Sequence, residues 1–284
     1  MSNLNQVLKE AESGGYAIPH FNFANMETLK ACVEAAKELN SPLMLGTSEG
    51  ERKFFGRAQA VSVIKAFQKE LEIQIFLNAD HTKSFEEAKL VIDLGYDSVI
   101  IDLAHLSFEE NVKITKQVVE YAKSKNPDIS VEGELGYLLG ESKILKEKIE
   151  LKPENYTKPE QAFEFWKETK VDRLTVAVGN IHGVSIAGNP RLDIGLIQKT
   201  KKLIPEVLLT LHGGSGIANE EIKQAVKAGM SNVHYNTDLR VSYLNALKKA
   251  IGDLPEETTP YKLFGPVIEA VKKTAKDRIE LLTP

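Results

Sequence analysis

The sequence has a single cysteine, Cys32, in 284 residues. No intrachain disulfide can form, so a reducing, cytoplasmic setting is expected. Cys32 lies in the helical pattern ETLKACVEAAKEL, where a small core residue is expected rather than a reactive thiol. Long hydrophobic runs are also lacking. None approaches the roughly 20 residues of a membrane span, and the opening MSNLNQVLKEAESGG has no apolar, signal-like stretch. No membrane partner is expected. Positive charge is not clustered either: 36 Lys plus Arg stand against 40 Asp plus Glu, a formal net charge of −4. No nucleic-acid partner is expected from that balance. Two chemical signatures are missing as well. No GxGxxG follows the first strand-like segment, which counts against an open dinucleotide-binding sheet. No lysine falls inside any strand-like segment, which leaves Schiff-base chemistry without its nucleophile.

What is present is an ordinary globular composition, 42% hydrophobic and 27% charged, enough for one large core. Short β-rich apolar runs alternate with helical patterns. Eight runs read as strands: 16–22, 42–48, 73–80, 98–104, 129–135, 173–180, 207–212 and 232–238. Helix signals recur between them. Ser84 with Glu87 reads as a capping box ended by Gly95, and Asn219 with Gly229 brackets another helix. Eight strand–helix units with near-continuous apolar strands predict an α/β fold, a TIM (β/α)8 barrel forming a single domain over 1–284. An open doubly wound sheet is the alternative. The charged stretch 136–158 reads as a long connection after strand five, either a lid or a surface insertion. Residues 252–284 read as a helical extension that packs on the barrel or on a second subunit.

The six histidines, His20, His81, His105, His182, His212 and His234, all fall in or just beyond a predicted strand. The C-terminal mouth of a barrel is where active sites are built. His20 and His105 read as hydrogen-bonded rim residues. His81, His182 and His212 each follow a full apolar strand, in NADHT, GNIHGVS and LHGGSG. Three neutral imidazoles converging on an open-sided site are a common way to hold catalytic zinc. Asp80, beside His81, is either a general acid/base or a helix cap. Ser84 already supplies the cap, which favours catalysis. Glu132 and Glu134 share one face of strand five, and Asp102 ends strand four. Buried carboxylates need partners. These three are partners of the histidines, a second cation site, or ion pairs inside the barrel.

The segments SPLMLGTSEG, NADHTKSFEEA, IIDLAHLSFEEN, VEGELG, VGNIHGV, LHGGSGI and NTDLR, in this order, resemble the class II, metal-dependent fructose- and tagatose-bisphosphate aldolases over essentially the whole chain. The resemblance implies Zn2+, or another divalent metal, on His81, His182 and His212. It implies Asp80 as the group that handles the C4 hydroxyl proton, and Asn22 as the amide that helps hold the enediolate. Gly183, Gly213 and Ser215 match a backbone cradle for the ketone-side phosphate and a monovalent cation (Na+ or K+). Asn236, Thr237 and Asp238 match the strand-eight substrate loop, and Ser48 a strand-two phosphate contact. Asp102 and Glu134 match an alternative metal position of some members. The substrates implied are phosphorylated ketoses and aldehydes, and the assembly a homodimer or homotetramer.

Three positions depart from the family pattern. Ile186 stands where a phosphate-contacting lysine is common, and His234 where asparagine is usual; a protonated His234 would restore part of the grip. Glu141 is the nearest carboxylate to the loop glutamate that reprotonates the carbanion in relatives. The expected reaction is retro-aldol cleavage of a ketose bisphosphate. The alternatives are an aldolase with an altered donor or acceptor and a non-catalytic metal-binding barrel.

Overall fold

The computed structural model describes residues 2–283. The chain begins with α1 (Leu4–Gly14), then runs through β1 (Ile18–Asn22), α2 (Met26–Glu38), β2 (Leu43–Thr47), α3 (Glu49–Phe55), α4 (Arg57–Leu71), β3 (Ile75–Thr82), α5 (Phe85–Leu94), β4 (Ser98–Ile101), α6 (Phe108–Lys125) and β5 (Ser130–Leu135). It continues with β6 (Gly140–Leu145), α7 (Pro159–Thr169), β7 (Arg173–Val176), β8 (His182–Ser185), α8 (Ile194–Leu203), β9 (Leu208–Leu211), α9 (Asn219–Lys227), β10 (Met230–Tyr235), α10 (Thr237–Asp253) and α11 (Pro260–Leu282). Eight strands close into a parallel barrel in the order β1-β10-β9-β7-β5-β4-β3-β2. This is the TIM barrel expected from the alternation.

The barrel strands are buried on both faces, which explains their unbroken apolar runs. Their outward side chains join helix residues such as Leu29, Ala88, Val91, Phe165 and Ile222 in one core. The start signal of α5 acts in part: Ser84 Oγ accepts from Glu87 N and Gly95 ends the helix in the left-handed region, but the Glu87 carboxylate accepts from Arg52 and Arg57 instead of completing a capping box. Asn219 does not cap α9. It is the first helical residue, after Ala218, and its Oδ1 accepts from Arg278 instead.

Three features differ from the expectation. The opening segment is a helix, α1, capped by Asn3, and its Leu4, Val7, Leu8 and Ala11 plug the N-terminal end of the barrel against Ile18, Met44, Phe76 and Leu208. The connection after β5 is not wholly irregular, because β6 pairs in parallel with β8 outside the barrel. The eighth barrel strand stops at Tyr235, so Thr237 and Asp238 start α10 rather than end a strand. The tail helix α11 packs on α2 and α10, and Leu282 O accepts from Ala17 N beside β1.

Candidate active site and metal centre

His81, His182 and His212 come from three different barrel strands or the loops just beyond them. Each offers a ring nitrogen within 4.8 Å of the others. Their centroids lie 5.0 Å (His81–His182), 4.9 Å (His81–His212) and 6.2 Å (His182–His212) apart. Asp80 and His81 are sequence neighbours and would face opposite sides of a regular strand. The β3 register slips between Ala79 and Thr82, and His81 has φ 44°, in the left-handed region. That turn brings both side chains to one cleft. A non-glycine residue there is uncommon and costs backbone energy, which neighbouring contacts must hold in place.

Carboxylates orient two of the rings. His81 Nδ1 lies 2.9 Å from Asp102 Oδ2 and 3.3 Å from Glu134 Oε2. His212 Nε2 lies 3.0 Å from Glu132 Oε1, and Glu132 in turn pairs with the buried Arg173 at 2.5 Å. A metal-binding imidazole typically has such a partner on its second nitrogen, which fixes tautomer and ring direction. The remaining nitrogens show the fit. His182 Nε2 and His212 Nδ1 are buried without a hydrogen-bond partner among the described residues, as are Glu134 Oε2 and Asp80 Oδ1. Unpaired buried lone pairs are costly, and a cation among them would satisfy several at once. The donor set, three imidazoles ringed by carboxylates, suits zinc or a similar dication. Burial first, then His81 and His212, push His182 down to about 3, so it is neutral and its lone pair is available. Burial opposes a charge on His81, but Asp80, Glu134 and Asp102 together raise its pKa well above the usual histidine range. The same field favours a metal ion. Burial likewise works against ionised Asp80, yet His81, His20, His212 and the Asn22 amide hold it below the usual carboxylate range.

The cleft of about 230 Å³ is lined by Asn22, Asp80 and the three histidines on one side, and by Gly183, Gly213, Ser215, Asn236 and Thr237 on the other. Gly213 (φ 66°) and Gly183 (φ 98°) both need glycine. A Cβ on Gly213 would sit 2.0 Å from Ile181 O, and one on Gly183 2.3 Å from Glu141 O. Ser215 Oγ accepts from Asp238 N at the start of α10, which leaves its hydroxyl proton for a ligand. Asn189 Nδ2 donates to both Gly183 O and Ser215 O, tying the two loops together and leaving a lone pair on each oxygen for a monovalent cation.

Not every expected residue faces this cleft. Asp238 turns its carboxylate away to Arg278, 2.7 Å off, and contributes its backbone only. Ser48 lines the cleft, but its N–H donates to Glu51 Oε2. Glu141 points outward. Its side chain is 73% exposed and pairs with Lys143, while Ser142, its neighbour along β6, lines the cleft. Alternation along a strand accounts for this: one of two successive residues must face away. Glu141 is therefore not brought to the reacting centre. Ile186 is 72% exposed and reaches nothing in the site.

His234 does not restore a charged phosphate contact. It lies inside the barrel, stacked on His20 at 3.6 Å and on His212 at 4.2 Å. Burial, then His20, His212 and Arg173, hold its pKa well below the usual value, so it is neutral. His20 is likewise an interior residue rather than a rim one, lowered to about 4 by burial above all. His105 lies exposed in the turn after β4. Sequence reasoning missed Glu51 and Arg240. Arg240 alone among the cleft-lining residues carries a lysine- or arginine-type charge, and it binds Glu51 Oε1 at 2.5 Å.

A parallel barrel with three histidines gathered at its mouth, a carboxylate beside them and two glycine turns opposite has the donor set that a catalytic dication requires. The chain belongs to the family described as fructose-bisphosphate aldolase class-II, whose match spans residues 2–283. It is 36% identical over 276 residues to a fructose-bisphosphate aldolase of Geobacillus stearothermophilus, covering 96% of this chain and 93% of that protein. A Helicobacter pylori fructose-bisphosphate aldolase is 34% identical, with 98% and 96% covered. Among solved structures, the YdjI aldolase of Escherichia coli K12 superposes with a TM-score of 0.84 at 28% identity, covering 99% of this chain and 97% of that one. The chain is thus an aldolase that uses a metal and acts on phosphorylated sugars. No helix among the described residues is long and apolar enough to cross a membrane.

Proposed function

We propose that the chain is a zinc-dependent aldolase that reversibly cleaves a ketose 1,6-bisphosphate, of fructose or tagatose, to dihydroxyacetone phosphate and an aldehyde phosphate. The observation that carries this reading is the trio His81, His182 and His212, with buried nitrogens on His182 and His212 that have no hydrogen-bond partner among the described residues, beside the similarly unpartnered Oδ1 of Asp80. The three histidines would hold the metal, with Asp102 orienting His81 and Glu132 orienting His212. Asp102 and Glu134 flank His81 closely enough to serve an alternative metal position. When bound, the metal supplies Lewis-acid stabilisation of the negative charge that develops on the ketone half. Asp80 takes the C4 hydroxyl proton. The C3–C4 bond then breaks as the C4 carbonyl forms, the electron pair stays with the ketone half, and C3 of that half takes up a proton to give dihydroxyacetone phosphate. Gly183, Gly213, Ser215 and the first N–H of α10, at Thr237, bind the ketone-side phosphate, favoured by the helix N-terminus, while the Asp238 N–H holds Ser215 Oγ in place. Asn236 and Ser48 border the substrate on the β10 and β2 sides. A monovalent cation on the Gly183 and Ser215 carbonyls would add to the cradle.

A second reading, an aldolase for a ketose with a different acid group or one phosphate fewer, is supported by exposed Ile186 and neutral His234. A coupled assay across ketose phosphates, with and without chelator, separates the two. Chelator-sensitive release of dihydroxyacetone phosphate from fructose or tagatose bisphosphate is expected. Turnover confined to other ketose phosphates would favour the second reading, and full activity after metal removal would refute both. Exposed Leu244 and Ile251 on α10 and Tyr261 on α11 support a homodimer or homotetramer. The lone cysteine, buried on α2, supports a reducing cytoplasmic setting. One barrel with its helices packed around one core supports a single domain.

A further inference from the structure

Glu51, on the short helix α3, is buried at the edge of the site. It does not line the cleft, whereas Asn22 and Asp80 do. Its Oε2 accepts from Asn22 Nδ2 at 2.8 Å and from Ser48 N at 2.8 Å. Its Oε1 accepts from Arg240 Nη2 at 2.5 Å. Asn22 Nδ2 also donates to Asp80 Oδ2 at 2.8 Å. Ionised carboxylates only accept hydrogen bonds. The Asn22 amide therefore has one allowed orientation: its NH2 group faces the two carboxylates, and both N–H bonds are taken. An enediolate oxygen needs donors, and in this arrangement Asn22 has none left to give.

We infer that Glu51 is a positioning residue for the cleavage step: it fixes the Asn22 amide so that the second N–H of that amide holds Asp80 in place. The inference rests on Asp80 being the group that takes the C4 proton. One Asp80 oxygen is tied to Asn22, and the other has no hydrogen-bond partner among the described residues, with His234 Nδ1 3.7 Å away, as a base needs if its lone pair is to point at one proton. Without Glu51, the Asn22 amide can rotate about its last torsion and release Asp80. Arg240 Nη2 and the Ser48 N–H are both donors to the Glu51 carboxylate, alongside Asn22.

The test uses the full chain loaded with zinc and measures two reactions. One is cleavage of fructose 1,6-bisphosphate. The other is exchange of the C3 proton of dihydroxyacetone phosphate with deuterated solvent, which makes and breaks the enediolate without a C4 hydroxyl. Glu51→Ala should lower kcat for cleavage by about 10- to 100-fold, the size of a misplaced catalytic group. KM, zinc content and proton exchange should stay near wild type. Asn22→Ala should show the same split, and the double variant should be no slower than Asn22→Ala alone, as expected for two residues acting as one unit. Glu51→Gln, whose side-chain oxygen still accepts from Asn22, should recover most of the cleavage rate. The inference is overturned if Glu51→Ala cleaves like wild type, if exchange falls as far as cleavage in either alanine variant, or if Glu51→Gln is as slow as Glu51→Ala. Should Glu51→Ala not fold, the Asn22→Ala split and the Glu51→Gln rate decide. A wild-type protein that neither cleaves nor exchanges refutes the aldolase reading rather than this inference.

Discussion

Five histidines stand inside one barrel in two sets that differ in what holds their second nitrogen. In the upper set, His81 and His212 are held by Asp102 and Glu132, and His182 and His212 keep an unpartnered nitrogen. In the lower pair, amides hold the rings: Asn78 Nδ2 meets His20 Nε2 at 3.0 Å, and His234 Nε2 meets Asn232 Oδ1 at 2.9 Å. Arg173, which only donates, fixes those amides. It donates to Ser98 Oγ, Ser98 donates to Asn78 Oδ1, and Asn232 Oδ1 accepts a further Arg173 N–H. His20 is thereby the Nδ1–H tautomer; that Nδ1 also has no hydrogen-bond partner among the described residues, but a protonated Nδ1 has no lone pair for a metal. Parallel rings 3.6 Å apart also cannot both point a nitrogen at one ion in their own planes. The same residue type makes a cation site above and a polar packing layer below. For the four rings with a side-chain partner, the difference lies in whether a carboxylate or an amide supports the ring.

That contrast can be broken from either side. The largest effect should come from His182→Ala, which removes an upper ligand. Bound zinc and cleavage should both fall to background while the lower pair stays intact, measured by metal analysis and coupled assay. Asp80→Asn should keep zinc and lose about 10²- to 10⁴-fold in kcat, the range for a general acid/base. Glu132→Gln should weaken zinc by about 10- to 100-fold, as loss of a ligand's hydrogen-bond partner does. It also leaves Arg173 buried without a counter-charge, so thermal unfolding should drop as well. His234→Asn, in the lower pair, should cost stability through lost stacking and leave zinc content unchanged. A loss of zinc there would erase the distinction between the sets. The smallest effect belongs to Glu141→Ala: a change in kcat within about threefold, as for an exposed substitution. A loss of 100-fold would show that β6 turns Glu141 inward during turnover.

The upper set was legible in the sequence because each of its histidines follows an apolar run, and a barrel gathers strand ends at one mouth. The glycine cradle was legible for the same reason. Glu51 was not, since SEGERKFF carries no pattern separating a buried carboxylate from a solvated one. Its burial depends on Asn22, Ser48 and Arg240, which are remote from one another in the chain. β6 was hidden because GESKIL is largely exposed and pairs only with four residues of β8, so no apolar alternation marks it. The neutrality of His234 follows from burial, then from His20, His212 and Arg173, which are remote from it in the chain, and no local motif encodes it.

On this reading the upper histidines hold the one metal on which cleavage depends. The most direct test is to strip the protein with chelator, titrate zinc back, and follow fructose 1,6-bisphosphate cleavage per chain. No activity is expected at zero metal, and then a linear rise that levels at one ion per chain. Activity in the metal-free protein, or a rise that continues to a second ion, would contradict it.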